Sequence, residues 1–530
     1  MSAPAAFGAR LVLAIALLCG FHAPGFAEMV WRRGALGDPG SLDPHKATTL
    51  IENDILTELF EGLFARNARG ALVPALAQDW SVDPAGLVYR FRLRADGRWS
   101  NGDAVKAGDF VYAFRRLMDP ATGAPYASIL YTLRNAEAVN AGKAPLEALD
   151  ARALGPLELE LTLERPTPYF LEQLAHFTAK PVHRASLEAS GGDFAHAEKM
   201  VTNGPFVLKE FIPLDRVTLE KNPHYRDADM VRLDRQVFIP IEDRSAALRR
   251  FMAGEIDSYG EVPVEEIGFV RKTLPDALRL SDSLGGYYLA LDTRHKPLDD
   301  ARVRNALSMA IDREFLAGKI WGGTMAQLQS FVPPGIENWG APQAPAWASL
   351  SLAARRQEAR RLLAEAGAAD MKLDIRFNNA GGHRATAVAL ADVWRAIGVT
   401  ATVTGTDAAT HYALLREKPP FDAARMSWFA DYPDAQNFLF LAESGNHGLN
   451  AASFADPAFD ALMRAAGEAV DPGARRAKLR EAEARLIDAQ PFIPLMAYRA
   501  SRLVSPRIKG FEPNALDVHP GRFISVEPAN

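Results

Sequence analysis

The chain has 530 residues, 48% hydrophobic and 24% charged, an ordinary globular composition with room for a large core and about three domains. Its formal net charge of −5 comes with no long basic block, which argues against nucleic acid as the main partner. The single cysteine, Cys19, rules out a disulfide framework within the chain.

Residues 1–27 differ from the rest. Arg10 precedes the apolar run 11–19, and small residues follow at Gly25 and Ala27. This order reads as a cleaved secretory signal, cut after Ala27, because the run is too short to span a bilayer comfortably. An uncleaved anchor is the competing reading. Cys19 raises a lipid-attached form, but Leu18 before it is a poor fit to the small residue such sites want. No later segment has the run of about 18 apolar residues a membrane helix needs, so the expected product is soluble and exported.

A polar start ends in Ser-Leu-Asp-Pro-His-Lys at 41–46. Apolar residues at 51, 55, 59, 60 and 63 predict a helix over 51–63, ended near Gly62. Residues 88–93 alternate as a half-buried strand, and Asn101-Gly102 marks a tight turn. A helix is expected over 109–118, stopped at Asp119-Pro120, and a period-two strand over 157–163. Residues 203–209 and 217–223 read as a turn and two strands pairing back. A helix at 245–253 and an apolar strand at 286–291 follow. Residues 300–314 read as one amphipathic helix, and 352–367 as another, with Leu362 and Leu363 inward and Gly367 as its stop. Residues 373–377, 386–397 and 399–403 form a β-α-β pattern. Helices near 459–467 and 474–489 precede a terminal strand from Phe492. No repeat and no long linker appears, so the fold class is α/β, with mixed sheets in intertwined lobes.

G-x-S-x-G, H-E-x-x-H, G-x-x-x-x-G-K-[ST] and G-x-G-x-x-G are all missing, and the eleven histidines form no helical ligand pair. No catalytic constellation, metal site or cofactor is therefore expected. The most informative stretch is 421–441. There a strand carrying Arg425 and Trp428 runs into the turn Ala430-Asp431-Tyr432-Pro433-Asp434. A carboxylate at the mouth of a buried strand needs a positive charge. From these residues alone, Asp431 reads equally as a turn cap, as the partner of Arg425, or as a ligand group.

Ten pieces occur in order: Ser-Leu-Asp-Pro-His-Lys at 41–46, Leu-Phe-Glu-Gly-Leu at 59–63, Trp-Ser-Asn-Gly at 99–102, Asp-Phe-Val-Tyr at 109–112, Pro-Tyr-Ala-Ser at 125–128, Asn-Gly-Pro at 203–205, Gly-Glu-Ile-Asp at 254–257, Val303-Arg-x-Ala-Leu307 with Asp312-Arg313, Leu-Leu-Ala-Glu-Ala-Gly at 362–367, and 424–432. Together they resemble the periplasmic oligopeptide-binding proteins, the solute receptors of peptide ABC importers. The resemblance implies a type II periplasmic-binding-protein clamshell. One lobe would comprise 28–60, 183–284 and 499–530, with a subdomain inserted at 61–182, and the second lobe 285–498. It implies a monomeric, non-enzymatic periplasmic receptor whose partners are short peptides and an inner-membrane permease.

Such a receptor must hold what all peptides share: an ammonium, a carboxylate and a backbone. The carboxylate moves ~3.3 Å per added residue, so tolerance of length requires several cations. The resemblance assigns the ammonium to Asp431 and the carboxylate to Arg425, His383, Lys319 or Arg416. It makes Tyr126, Tyr288 and Trp428 groove aromatics, and the segment Thr48, Thr49, Leu50 the edge that pairs with peptide. The chain departs from the pattern at Thr48 and Ala409, and carries Gly285 and Phe429 where relatives can have a cysteine pair. Side-chain preference is thereby open. The alternatives are a murein peptide or another amine-bearing solute as ligand, or, in a different class, an exported hydrolase or chaperone.

Overall fold

The computed structural model describes residues 28–528 apart from 192, 193, 197 and 338; the expected signal at 1–27 lies outside them. The α/β class and the mixed sheets are as expected. One sheet of eleven strands runs through the molecule. One half gathers Val30–Ala35, Phe206–Ile212, Arg216–Lys221, Arg235–Pro240 and Ser258–Tyr259. The other gathers Lys372–Asn378, Thr400–Thr406 and Ala423–Phe429.

Two long antiparallel strands, Leu278–Leu291 and Phe492–Val504, join the halves. At one end Leu503 pairs with both Leu278 and Tyr259. At the other, Gly285 to Leu291 pair with Phe429 back to Ala423. The register of the long pair shifts between Asp282 and Gly286, so the ladder is interrupted where the sheet passes from one half to the other. A shift of this kind bends and twists a strand. The molecule is a two-lobed clamshell joined at that interruption.

A separate four-stranded antiparallel sheet comprises Ala77–Val82, Val88–Leu93, Glu158–Thr162 and Ala151–Gly155. With the helix Ala107–Met118 it shares one core with the first lobe: Phe91, Phe110 and Phe114 join Trp31, Phe206 and Val217. Val504, Ile524 and Val526 return the chain's end to that core. In the second lobe Tyr287, Leu289 and Leu291 enter one core while Tyr288 and Ala290 enter another. The strand is buried on both faces, which is why its sequence shows no alternation.

Two differences from the sequence reading have physical causes. The first helix is Leu50–Leu59 and stops before Gly62. The carbonyls of Gly62 and Leu63 instead accept from Leu76, Ala75 and Ala77, so tertiary hydrogen bonds claim this stretch. The expected helix over 300–314 is broken into Ala301–Met309 and Arg313–Phe315. Asp312 restarts it by accepting from the Phe315 amide at 3.0 Å. Gly285 and Phe429 stand directly opposite each other. A Cβ on Gly285 would lie 2.6 Å from the Phe429 ring, so the ring fills the space beside that glycine.

Candidate functional site

The strand Ala423–Phe429 carries the site. Gly285 to Leu291 cover one of its edges. On the other, Lys372–Asn378 reaches only Ala423 and Ala424, so from Ser427 to Phe429 that edge has no strand partner among the described residues. The turn that follows is pinned by Asn437, which is buried and whose Oδ1 accepts from the Asp431 amide at 3.0 Å and from Trp428 Nε1 at 3.1 Å.

Asp431 is half-buried, and burial raises its carboxyl to about 6, with only the Asn437 side chain pulling the other way. It does not pair with Arg425. Arg425 is 5% exposed and projects from the face shared with Leu289 and Tyr287. Its guanidinium donates to Asn378 Oδ1 at 3.2 Å, Tyr412 Oη at 3.2 Å and Tyr498 Oη at 2.8 Å. It lies 5.0 Å from the Tyr287 ring centre, and its Nε has no hydrogen-bond partner. Neither charge has an oppositely charged side chain as its partner among the described residues.

His383 joins this cluster, with Nδ1 3.2 Å from Tyr287 Oη. Burial, then Arg425 and His411, lower its pKa to about 3. It is a neutral imidazole, which corrects its expected role as a cation. Lys319 sits exposed on the single turn Leu316–Ile320, packed against the helix His383–Arg395. Arg416 is exposed on the helix Ala408–Glu417, as is Ala409.

One expected aromatic is enclosed in the core. Tyr288 is 0% exposed and donates to the Phe331 carbonyl at 2.7 Å; it is core. Trp428 lies on that same face, half-buried and packed against Phe440 with ring centres 5.4 Å apart, and its Nε1 donates to Asn437. Successive strand residues point to opposite faces, and the aromatic on the Arg425 side is Tyr287. Tyr126 is half-buried against His176 and Phe177 and lines the cavity beside Asp431, with its hydroxyl pKa raised by burial and by Asp431.

The expected pairing edge is partly committed. The amides of Thr48 and Thr49 donate to Glu52 Oε2 at 2.6 and 2.8 Å, and Thr49 caps the helix that starts at Leu50. Thr-x-x-Glu is a capping box legible in the sequence. Thr48, Thr49 and Leu50 nonetheless line a cavity of about 310 Å³, together with Arg66, Tyr126, His176, Lys180, Asp431 and Arg522. Tyr287, Tyr412, Tyr498 and Asn378 around Arg425 escaped the sequence reading. Only the Tyr-Tyr pair at 287–288 carried a signal, and it pointed to the wrong parity.

No group of three or more His, Cys, Asp or Glu fit to hold a metal occurs among the described residues, and no described helix is long and apolar enough to cross a membrane. Residues 71–450 match the family model of bacterial extracellular solute-binding proteins, family 5. The chain is 34% identical over 480 residues to the periplasmic oligopeptide-binding protein OppA of Salmonella typhimurium, covering 89% of this chain and 87% of that one. It is 33% identical over 483 residues to the periplasmic murein peptide-binding protein MppA of Escherichia coli, covering 90% and 89%. Haemophilus influenzae OppA, solved in complex with RPPGFSPFR, superposes with a TM-score of 0.80 at 30% identity, covering 94% of this chain and 99% of that one.

Proposed function

Because this chain belongs to the bacterial extracellular solute-binding proteins of family 5, we propose that it is a periplasmic receptor that captures short peptides between its lobes and delivers them to an ABC importer. It does so as a monomer and without catalysis. The observation that carries this reading is the pair of unmatched charges, Asp431 and Arg425, at the two ends of one strand and turn. An ammonium at Asp431 and a carboxylate at Arg425 satisfy both, and an extended backbone adds to the open edge from Ser427 to Phe429. Six positions separate the two charges, on the order of 20 Å if fully extended. After the reach of two side chains, that spans a peptide of about three to five residues. Lys319 and Arg416 take the carboxyl end of other lengths, and neutral His383 orients it by hydrogen bonding.

Closure turns on the interrupted ladder between Asp282 and Gly286. The lobes are those set out above, 28–60 with 183–284 and 499–530 against 285–498, with 61–182 as the insert. The likeness to MppA favours a second reading, capture of a murein peptide, which presents the same kinds of end group. Calorimetry with tri- and tetrapeptides and a murein tripeptide tests both. Binding of ordinary peptides regardless of side chain supports the first reading. Heat from the murein tripeptide alone supports the second, and heat from none of them removes both.

A further inference from the structure

Besides Tyr126, the cavity beside Asp431 holds six charged or titratable lining residues: Glu61, Arg66, His176, Lys180, Asp431 and Arg522. Most are neutralised in place. Glu61 accepts from Tyr225, Arg226 and Arg522 at 2.8–3.1 Å. Arg66 pairs with Glu172 at 2.5 Å. Burial, helped by Lys180 and Arg66, holds His176 neutral, with its pKa lowered to about 3.

Two groups are left over. Asp431 has no cation, and Lys180, 4% exposed, has no carboxylate at ion-pair distance among the described residues. Lys180 Nζ donates to the Leu56 carbonyl at 3.3 Å, a group that already accepts from the Phe60 amide at 2.9 Å. Lys180 thus acts on the C-terminal turn of the helix Leu50–Leu59, where a cation is favourable. That bond uses one of three ammonium donors and leaves two for whatever enters the cavity. A buried ammonium without a counter-ion is costly, and an arriving carboxylate relieves that cost.

Resting on the peptide reading above, we infer that Lys180 is a specificity residue, selecting peptides with an acidic side chain at one of the first two positions, beside the ammonium held by Asp431. The lining supplies the contrast that selection needs. Lys180 offers the one unmatched positive charge, and the carboxylate of Glu61 is consumed by its own partners. Burial also lowers the Lys180 pKa to about 7, with Glu58 and Glu61 opposing and Arg522 adding to the fall. The selection therefore weakens in alkaline solution.

Calorimetry with tetra-alanine and with tetrapeptides carrying Glu or Gln at position 1 or 2 tests this. At pH 6.5 one of the Glu peptides should bind at least tenfold tighter than its Gln counterpart. The ratio should shrink at pH 9, fall to near one in Lys180→Met and persist in Lys180→Arg. The comparison of pH 6.5 with pH 9 in the wild type decides the matter even if Lys180→Met does not fold. A ratio near one in the wild type at pH 6.5, or an unchanged ratio in folded Lys180→Met, overturns the assignment while tetra-alanine binding keeps the peptide reading. Heat from no peptide overturns that reading and this inference with it.

Discussion

Tyr432, the residue after Asp431, stacks on Tyr169 with ring centres 4.9 Å apart and planes 7° from parallel. Tyr169 precedes Phe170, which belongs to the first lobe's core, so the stack crosses from one lobe to the other. Arg475 lies 5.5 Å from the Tyr169 ring centre and holds Asp434 through two hydrogen bonds of 2.8 and 2.9 Å. A single turn therefore carries both Asp431, the carboxylate proposed to meet the ligand, and the clasp that meets the other lobe. Aromatic pairs contribute about 0.5–1.5 kcal/mol beyond area burial. Tyr169→Ala should weaken tetrapeptide affinity by roughly tenfold, mainly through faster dissociation in stopped-flow measurements. Tyr169→Phe should stay near wild type. Equal dissociation rates in wild type and Tyr169→Ala would remove the clasp.

Asp431 sets function against stability. Its carboxyl is raised from 3.8 to about 6, so the folded state favours the protonated form. The apo protein therefore loses stability as pH rises from about 4 through 6, by at most about 3 kcal/mol before discounting for partial exposure. Asp431→Asn should raise the apo melting temperature at pH 7.5, with the gain vanishing at pH 4. Peptide affinity should fall at least a hundredfold, from the loss of about 3 kcal/mol or more. In the wild type, affinity should weaken below pH 6 as the carboxyl protonates. A lower apo melting temperature for Asp431→Asn at pH 7.5 would mark a structural role instead.

Glu52 organises the segment expected to meet the peptide backbone. It is buried and accepts from the Ser41, Thr48 and Thr49 amides at 2.6–2.8 Å. Glu52→Ala leaves those donors unsatisfied and should destabilise the protein by about 2–4 kcal/mol. Chemical denaturation measures this, and a change below about 0.5 kcal/mol would show that the bonds are dispensable.

The strand and the turn were legible because turn residues and an aromatic-rich strand mark themselves locally, whereas the role proposed for Asp431 came from the resemblance. Parity was not. Gly-Gly-Tyr-Tyr-Leu-Ala-Leu at 285–291 is apolar on both faces, so nothing in it says whether Tyr287 or Tyr288 faces Arg425. The protonation of His383 was hidden for a related reason, since it depends on burial beside Arg425, a residue distant in sequence. The capping box at Thr49 and Glu52 was readable and would have shown that the Thr48 and Thr49 amides are committed. Lys180 gave no local signal at all. Its meaning comes from the helix it caps and from the cavity it lines.

The central claim, that Asp431 receives the peptide's amino group, is tested most directly by a double cycle. Calorimetry would compare a free and an N-acetylated tetrapeptide on wild type and on Asp431→Asn. Acetylation should weaken binding at least a hundredfold on wild type and cost little further on the variant. Equal losses on both proteins would contradict it.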